Sequence, residues 1–140
     1  MIQMDRMVVA SGMFENAETI KTLEDAGVKI HKGYLEHVEE IYQMADVYLF
    51  PTRSAEFVIS VPLSVMEALS CGVPVIGYKD FENLAAIPAE DGAITLIEGK
   101  DALNAAVVNM AGKKQNRSYL AAPKTWEQVA DEVLRIVKRG

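Results

Sequence analysis

Short apolar runs rich in β-branched residues recur along the 140-residue chain and predict β-strands. Several runs are continuous rather than alternating, which is typical of strands buried on both faces of a parallel sheet. The runs are residues 7–10, 28–30, 46–50, 73–76 and 93–97.

Segments with helical period separate these runs. Two sets of apolar residues each share one helix face: Val38, Ile41, Tyr42 and Ala45, and further on Leu103, Ala106, Val107 and Met110. Strands that alternate with helices indicate βαβ units, whose right-handed crossovers give a parallel sheet with helices on both faces. We therefore predict an α/β fold with a doubly wound, Rossmann-like sheet of about five strands.

A last helix is predicted after Thr125, which can cap it together with Gln128 three residues on. Its apolar stripe consists of Trp126, Val129, Ala130, Val133, Leu134 and Val137. A stripe of this kind has to pack on another surface. Packing on the chain's own sheet is the expected arrangement, and a neighbouring domain is the alternative.

Composition narrows the class of protein. The chain is 50% hydrophobic and 24% charged, which is ordinary globular usage and indicates a single domain over residues 1–140. Its formal net charge of -6 argues against a nucleic-acid partner, because binding phosphates along a nucleic acid needs clustered Lys and Arg. Any nucleotide must therefore be bound locally.

The remaining composition points to a cytoplasmic protein. Cys71 is the single cysteine, and neither a signal peptide nor a transmembrane run is recognisable. We expect a cytoplasmic location, either free or peripheral at the inner face of the membrane. His31 and His37 lack the Cys or acidic neighbours of a metal site, so we expect no metal and no cofactor.

The segment after the third strand carries the candidate chemistry. In open α/β sheets, ligands bind beyond the carboxyl ends of the strands. A mixed loop over residues 51–59 leads there into a predicted helix over 61–71, with Pro62 in its first turn and Gly72 as its cap. The exposed N–H groups of Leu63 and Ser64 would then offer an anion site suited to a diphosphate.

Glu67 stands out in this apolar helix. Ser60, Ser64 and Glu67 share the face opposite Val65, Ala68 and Leu69. The Glu67 carboxylate is placed to accept hydrogen bonds from neutral hydroxyls such as those of a ribose. Spacing alone favours the alternative, a solvated or capping carboxylate.

Two stretches of the sequence resemble a known protein family. Residues 45–52, Ala-Asp-Val-Tyr-Leu-Phe-Pro-Thr, and residues 67–77, Glu-Ala-Leu-Ser-Cys-Gly-Val-Pro-Val-Ile-Gly, resemble the donor-site core of family 4 (group 1) glycosyltransferases of the GT-B fold. Residues 28–35 resemble the strand and loop against which the family binds the nucleotide base. Residues 118–138 resemble its closing helices, so most of the chain resembles the C-terminal donor-binding half of such an enzyme.

The resemblance implies a role for each matched position. Glu67 would bind the donor ribose, and the turn with Ser60, Leu63 and Ser64 would bind the diphosphate. Gly33, Tyr34 and Leu35 would contact the base, while Pro51 and Thr52 end the donor-site strand. Each has a structural alternative: Gly33 closes a turn, Leu35 packs in the core, or Ser60 caps a helix.

The chain departs from the family pattern in two ways, and the first departure lies in the loop before the predicted helix. The family places a second glutamate, which contacts the donor sugar, where this chain has Ile59. The nearest acid is Glu56, either a replacement catalytic residue or a surface carboxylate. The family also has glycines in this loop, where the chain has residues 58–62 without glycine.

The second departure is length. The resemblance implies that the chain enters at the family's second donor-domain strand, which predicts the strand order 2-1-3-4-5. The N-terminal acceptor domain and the basic pair that reaches the diphosphate are both missing. The expected partners are a nucleotide sugar linked to UDP, GDP or ADP and a GT-B N-terminal domain in cis or in trans, or a second copy in a homo-oligomer.

Three functions follow from these observations. The first is donor binding for retaining, metal-independent hexosyl transfer to a glycan or lipid, with the isolated chain lacking full activity. The second is a non-catalytic nucleotide-binding or interaction domain that retains the fold. A receiver-like domain is the third, but Ser11-Gly12 and Pro51-Thr52 occupy the positions where a receiver needs its acids.

Overall fold

A computed structural model describes residues 7–11, 16–54, 56, 60–122 and 124–139. The chain divides into two compact units, Met1–Val38 and Glu39–Gly140. A single domain over residues 1–140 stays a prediction.

The first unit contains a parallel strand pair and one helix. Its elements are β1 (Val8–Ser11), α1 (Ala17–Asp25) and β2 (Lys29–Lys32). The two strands pair in register, with Val8 opposite Lys29. Helix α1 begins after Asn16, whose side-chain oxygen accepts from the N–H groups of Glu18 at 2.9 Å and Thr19 at 3.2 Å. The cap satisfies two N–H groups that have no partner inside the helix.

The second unit is built on three parallel strands in the order β3-β4-β5. Its elements are α2 (Val38–Met44, from the unit boundary), β3 (Tyr48–Phe50), α3 (Leu63–Ser70), β4 (Val75–Tyr78), β5 (Ile94–Ile97), α4 (Leu103–Ala111) and α5 (Trp126–Arg139). Short 3-10 helices over Glu82–Ala86 and Lys100–Ala102 lie on either side of β5 in the sequence.

The predicted α/β class and parallel pairing are confirmed. The pairs β1-β2, β3-β4 and β4-β5 are all parallel, and each is a neighbouring pair in the predicted 2-1-3-4-5 order. The step that would join β1 to β3 in one five-stranded sheet stays a prediction.

Helices cover both faces of the three-stranded sheet. Helix α4 packs Ala106, Val107 and Met110 against Ile76 and Ile97. Since neighbouring strand residues point to opposite faces, Val75 and Gly77 face the other way. On that side α3 lies against β3 and β4 and buries Val65, Ala68 and Leu69.

Helix α5 has the predicted cap but not the expected packing. The N–H of Thr125 donates to the Gln128 side chain at 2.8 Å, and the N–H of Gln128 donates to Thr125 Oγ1 at 3.3 Å. Every side chain from Trp126 to Lys138 is exposed, and Trp126 is 85% exposed. The prediction that this stripe packs on the chain's own sheet is therefore wrong. A 3.6-residue period shows that one face of a helix is apolar, but it does not identify the surface that covers that face.

Candidate functional site

The carboxyl ends of β3, β4 and β5 meet at one edge of the sheet. Because the strands are parallel, the segments that follow them, residues 51–54, 79–80 and 98–99, leave the sheet on the same side. Helix α3 returns from this edge, so its first turn lies near the end where α/β proteins bind ligands.

The start of α3 keeps backbone N–H groups available. Pro62 is the N-cap residue, with φ -69° and ψ 115°, and makes no side-chain capping hydrogen bond. The N–H groups of Leu63 and Ser64 belong to the first turn, where a helix offers no internal acceptor. Leu63 is 64% exposed, which leaves this turn open to solvent. A first turn of this kind can accept an anion, and binding of a diphosphate here stays a prediction.

The helix is shorter than the predicted span of 61–71. Its first residue is Leu63 because the extended ψ of Pro62 places that residue outside the helix. Its last residue is Ser70, since Gly72 has φ +73° and reverses the chain. The N–H of Gly72 donates to Leu69 O at 3.1 Å and that of Val73 donates to Ala68 O at 2.9 Å, the pattern of a glycine-terminated helix.

Glu67 is hydrogen-bonded to a residue that the sequence did not link to it. The Tyr42 hydroxyl, from α2, donates to Glu67 Oε2 at 3.1 Å. Tyr42 is 7% exposed, whereas Glu67 is exposed. Burial, the neighbouring Tyr48 and the bond to Glu67 all raise the pKa of Tyr42 well above its usual range. The carboxylate is therefore held by a neutral donor and still faces solvent.

Tyr48 extends this group to the first turn of α3. Its ring meets that of Tyr42 edge to face, with ring centroids 5.7 Å apart. Burial raises the pKa of Tyr48, while a hydrogen bond with Ser64 opposes that rise. We refer to Tyr42, Tyr48, Ser64 and Glu67 as the tyrosine–glutamate cluster. It joins two of the predicted site residues, Ser64 and Glu67, on one side of α3.

A second group of side chains lies at the carboxyl edge of the strands. Arg53, after β3, donates through Nε to Asp80 at 2.8 Å and through Nη2 to the Glu98 carbonyl at 3.4 Å. Its guanidinium lies over the Tyr78 ring, 4.8 Å from the centroid. Lys79 donates to Glu98 Oε1 at 2.7 Å, which lowers the pKa of Glu98. These residues form the edge charge cluster, which sequence reasoning did not identify.

The other predicted residues of this unit lie in irregular segments. Pro51 is exposed and Thr52 is half-buried, both directly after β3, and Ser60 is exposed two residues before Pro62. Glu56 is also exposed, and its N–H donates to Ser54 Oγ at 3.2 Å. A sugar contact by Glu56 stays a prediction. Ile59, where the family has a glutamate, lies outside the described residues.

The predicted base-binding loop follows β2 in the first unit. Gly33 has φ +101°, and the space around the position of an added Cβ is open to 4 Å. Tyr34 is 92% exposed and Leu35 is half-buried. The turn at Gly33 and the exposed ring suit stacking on a base. Binding of a base by this loop stays a prediction.

A separate cavity of about 310 Å³ lies on another side of α3. It is lined by Met66, Ser70, Pro88, Ser118, Leu120, Ala121 and Ala122. None of these residues belongs to the predicted site. In the described part of the chain, no group of three or more His, Cys, Asp or Glu could hold a metal ion. None of the described helices has the length and apolarity needed to cross a membrane.

Comparison with known proteins identifies the family. The chain belongs to the group 1 glycosyl transferases, whose family model matches residues 3–139. The predicted resemblance is thereby confirmed over almost the whole sequence. No curated protein and no solved structure matches the chain.

Proposed function

We propose that this chain is the nucleotide-sugar-binding domain of a retaining glycosyltransferase. Membership of the group 1 glycosyl transferases supports glycosyl transfer as the general activity. The observation that supports the donor role is the placement of Glu67 on α3, one turn along from Ser64 and the open N–H groups of the first turn. A carboxylate and an anion site at this spacing suit a ribose joined to a diphosphate.

Each part of the donor has a partner in this proposal. The diphosphate binds at Leu63 and Ser64, where backbone N–H groups and the helix dipole favour negative charge. The ribose hydroxyls donate to Glu67, whose carboxylate Tyr42 holds at 3.1 Å. Glu56 approaches the sugar, whereas contact of the base with the loop of Gly33, Tyr34 and Leu35 stays the prediction made from the resemblance.

In this proposal the edge charge cluster supplies cations that meet the diphosphate. Arg53 follows β3 and Lys79 follows β4, so both lie at the edge from which α3 starts. A departing diphosphate gains stability from preorganised cations and N–H groups. No metal is required by this arrangement. The acceptor binds to a GT-B N-terminal domain, and the chain alone turns over slowly.

Titration with nucleotides tests the donor role. Isothermal titration of the chain with UDP, GDP, ADP and their sugar conjugates should show one nucleotide that binds. Glu67→Gln should weaken that binding by about 10- to 150-fold, because a hydrogen bond to a charged partner contributes about 1.5–3 kcal/mol.

Asp91→Asn is the matched control. Asp91 is an exposed acid in the turn before β5, at the opposite edge of the sheet, so its substitution should leave affinity unchanged. Equal loss in both variants would show only an effect of net charge. If no nucleotide binds the folded chain, the donor role is wrong and the non-catalytic alternative is favoured.

A further inference from the structure

The Arg53 side chain reaches from the end of β3 to the ends of β4 and β5. Its Nε donates to Asp80, after β4, at 2.8 Å, and its Nη2 donates to the carbonyl oxygen of Glu98, after β5, at 3.4 Å. Its Cζ also lies over the ring of Tyr78, the last residue of β4, 4.8 Å from the centroid. Contacts with three residues therefore orient the guanidinium.

The contact with Tyr78 differs from the other two because it uses no N–H group. A guanidinium has five N–H donors, and the bonds to Asp80 and Glu98 use two of them. The attraction between a cation and an aromatic ring acts through the face of the ring. Tyr78 can therefore hold Arg53 while a ligand binds N–H groups at the rim of the guanidinium. The Arg53 side chain is 58% exposed, so a ligand can reach it.

The core of the second unit holds the Tyr78 ring in place. Tyr78 is half-buried and packs against the core cluster that contains Ile76, Ile97 and Met110. In the sheet it lies opposite Ile97 of β5. A side chain whose rotamer is fixed by packing is suited to orient a second side chain at a binding site.

The orientation of Arg53 matters for a diphosphate. A guanidinium binds phosphate oxygens through two parallel N–H bonds, which requires a defined plane. A mobile arginine side chain loses rotamer freedom when it binds a ligand, and a side chain that is already oriented loses less. The contact with Tyr78 should therefore strengthen diphosphate binding although Tyr78 does not touch the ligand.

We propose that Tyr78 is a positioning residue, whose ring holds the Arg53 guanidinium in the orientation that binds the diphosphate of the donor. This role rests on the proposed function, in which Arg53 meets the diphosphate. The ring of Tyr78 is required for it, and the hydroxyl is not. Tyr78 should therefore affect the binding of ligands that carry the diphosphate and no others.

Isothermal titration with the preferred nucleoside diphosphate and with its parent nucleoside tests the effect on the ligand. Tyr78→Leu should weaken diphosphate binding about two- to fivefold, as expected for the loss of an exposed cation–π contact, and leave nucleoside binding unchanged. Tyr78→Phe keeps the ring and should keep the affinity. In an Arg53→Gln background, Tyr78→Leu should have no further effect. An equal loss for the nucleoside, in Tyr78→Phe or in the Arg53→Gln background contradicts the proposal.

Leu103→Ala is the matched control for packing. Leu103 is another half-buried residue that packs against the same core cluster. Its truncation should lower the free energy of unfolding in urea, because it removes core contacts, and should leave diphosphate affinity unchanged. If Leu103→Ala weakens diphosphate binding as much as Tyr78→Leu does, the loss reflects stability and the positioning role is wrong.

NMR relaxation of the Arg53 Nε–H group tests the contact without any nucleotide. Arg53→Gln identifies the signal by removing it. Tyr78→Leu should increase the picosecond-to-nanosecond mobility of this group, and Tyr78→Phe should not. Unchanged mobility in Tyr78→Leu would mean that the ring does not hold Arg53, and the proposal then fails whether or not a nucleotide binds. If the mobility rises but the unchanged chain binds no nucleotide, the proposed function is wrong and the contact is structural only.

Discussion

The Tyr42 hydroxyl donates to Glu67 Oε2 at 3.1 Å and so joins α2 to α3 across 25 residues of sequence. The bond combines a buried donor with a solvent-facing carboxylate. It fixes one oxygen of Glu67 and leaves the carboxylate accessible. An orienting contact of this kind is expected where a carboxylate must meet a ligand hydroxyl in one position.

Replacing Tyr42 by Phe should lower both stability and donor affinity. The ring and its packing on Tyr48 remain, so the loss reflects the hydrogen bond. We expect about 1–2 kcal/mol less free energy of unfolding in urea, because the bond has a charged acceptor that water can partly solvate.

Tyr34→Phe is the control for this measurement. Tyr34 is 92% exposed, so removal of its hydroxyl should not change the free energy of unfolding. If Tyr42→Phe proves as stable as the unchanged chain, the bond to Glu67 is too weak to position the carboxylate.

Alkaline pH should destabilise the protein through the same tyrosine. The pKa of Tyr42 is raised in the folded state, chiefly by burial, and is near 10 in the unfolded chain. Below about pH 10 both states keep the proton, and this residue adds no pH dependence. Above it the unfolded state loses the proton first, so the free energy of unfolding falls as pH rises.

Urea unfolding from about pH 9 to about pH 11 measures this effect. The decline should be smaller in Tyr42→Phe, although Tyr48 and Tyr119 will maintain part of it, since burial raises the pKa of both. An identical decline in the two proteins would mean that Tyr42 ionises equally in the folded and unfolded states.

Gly72 cannot be replaced without moving the backbone around it. Its φ is +73°, and an added Cβ would lie 2.0 Å from the carbonyl oxygen of Gln115 and 2.6 Å from that of Arg117. These are main-chain atoms, so no rotamer change relieves the contact. We expect Gly72→Ala to lower the free energy of unfolding by about 3 kcal/mol or more.

Gly92→Ala separates the two causes of this loss. Gly92 also has a positive φ, +78°, but the nearest atom to an added Cβ is the flexible Lys113 Nζ at 3.9 Å. Conformational strain alone should lower stability by about 1 kcal/mol there. An equal loss of unfolding free energy at the two positions would show that the backbone around Gln115 moves aside at little energetic cost.

Much of the local structure could be predicted from the sequence. Gly72 marked the end of α3, and Thr125 with Gln128 marked the start of α5, because caps depend on residues within one turn. Strand β4 was predicted two residues early, at 73–76. Val73 is still occupied by the helix cap, donating to Ala68 O, and the sheet pairing begins only at Val75.

Contacts between distant segments could not be predicted in the same way. Tyr42 was predicted on the apolar face of its helix, and nothing in its spacing links it to Glu67. Arg53 lay in a loop that departs from the family pattern, so its pairing with Asp80 was missed. The rule that carboxyl ends of parallel strands share an edge would have brought these two residues together.

Asp80 should limit the anion affinity of Arg53. The two side chains are joined at 2.8 Å and are 58% and 50% exposed, so the pair contributes little to stability. The charge of Asp80 matters more for a ligand, because Asp80 neutralises Arg53, the cation proposed to meet the diphosphate. Asp80→Asn should therefore tighten binding of the preferred nucleoside diphosphate severalfold, and Arg53→Gln should weaken it.

Calorimetric titration at low and at raised salt checks both effects, since screening should reduce the difference between the variants. Lys21→Gln is a control that also lowers the positive charge by one, at the exposed Lys21–Asp25 pair of α1. A loss with Arg53→Gln that Lys21→Gln does not share identifies a local contact. If Asp80→Asn weakens binding instead, Asp80 positions Arg53 for the ligand and its role is orientation rather than competition.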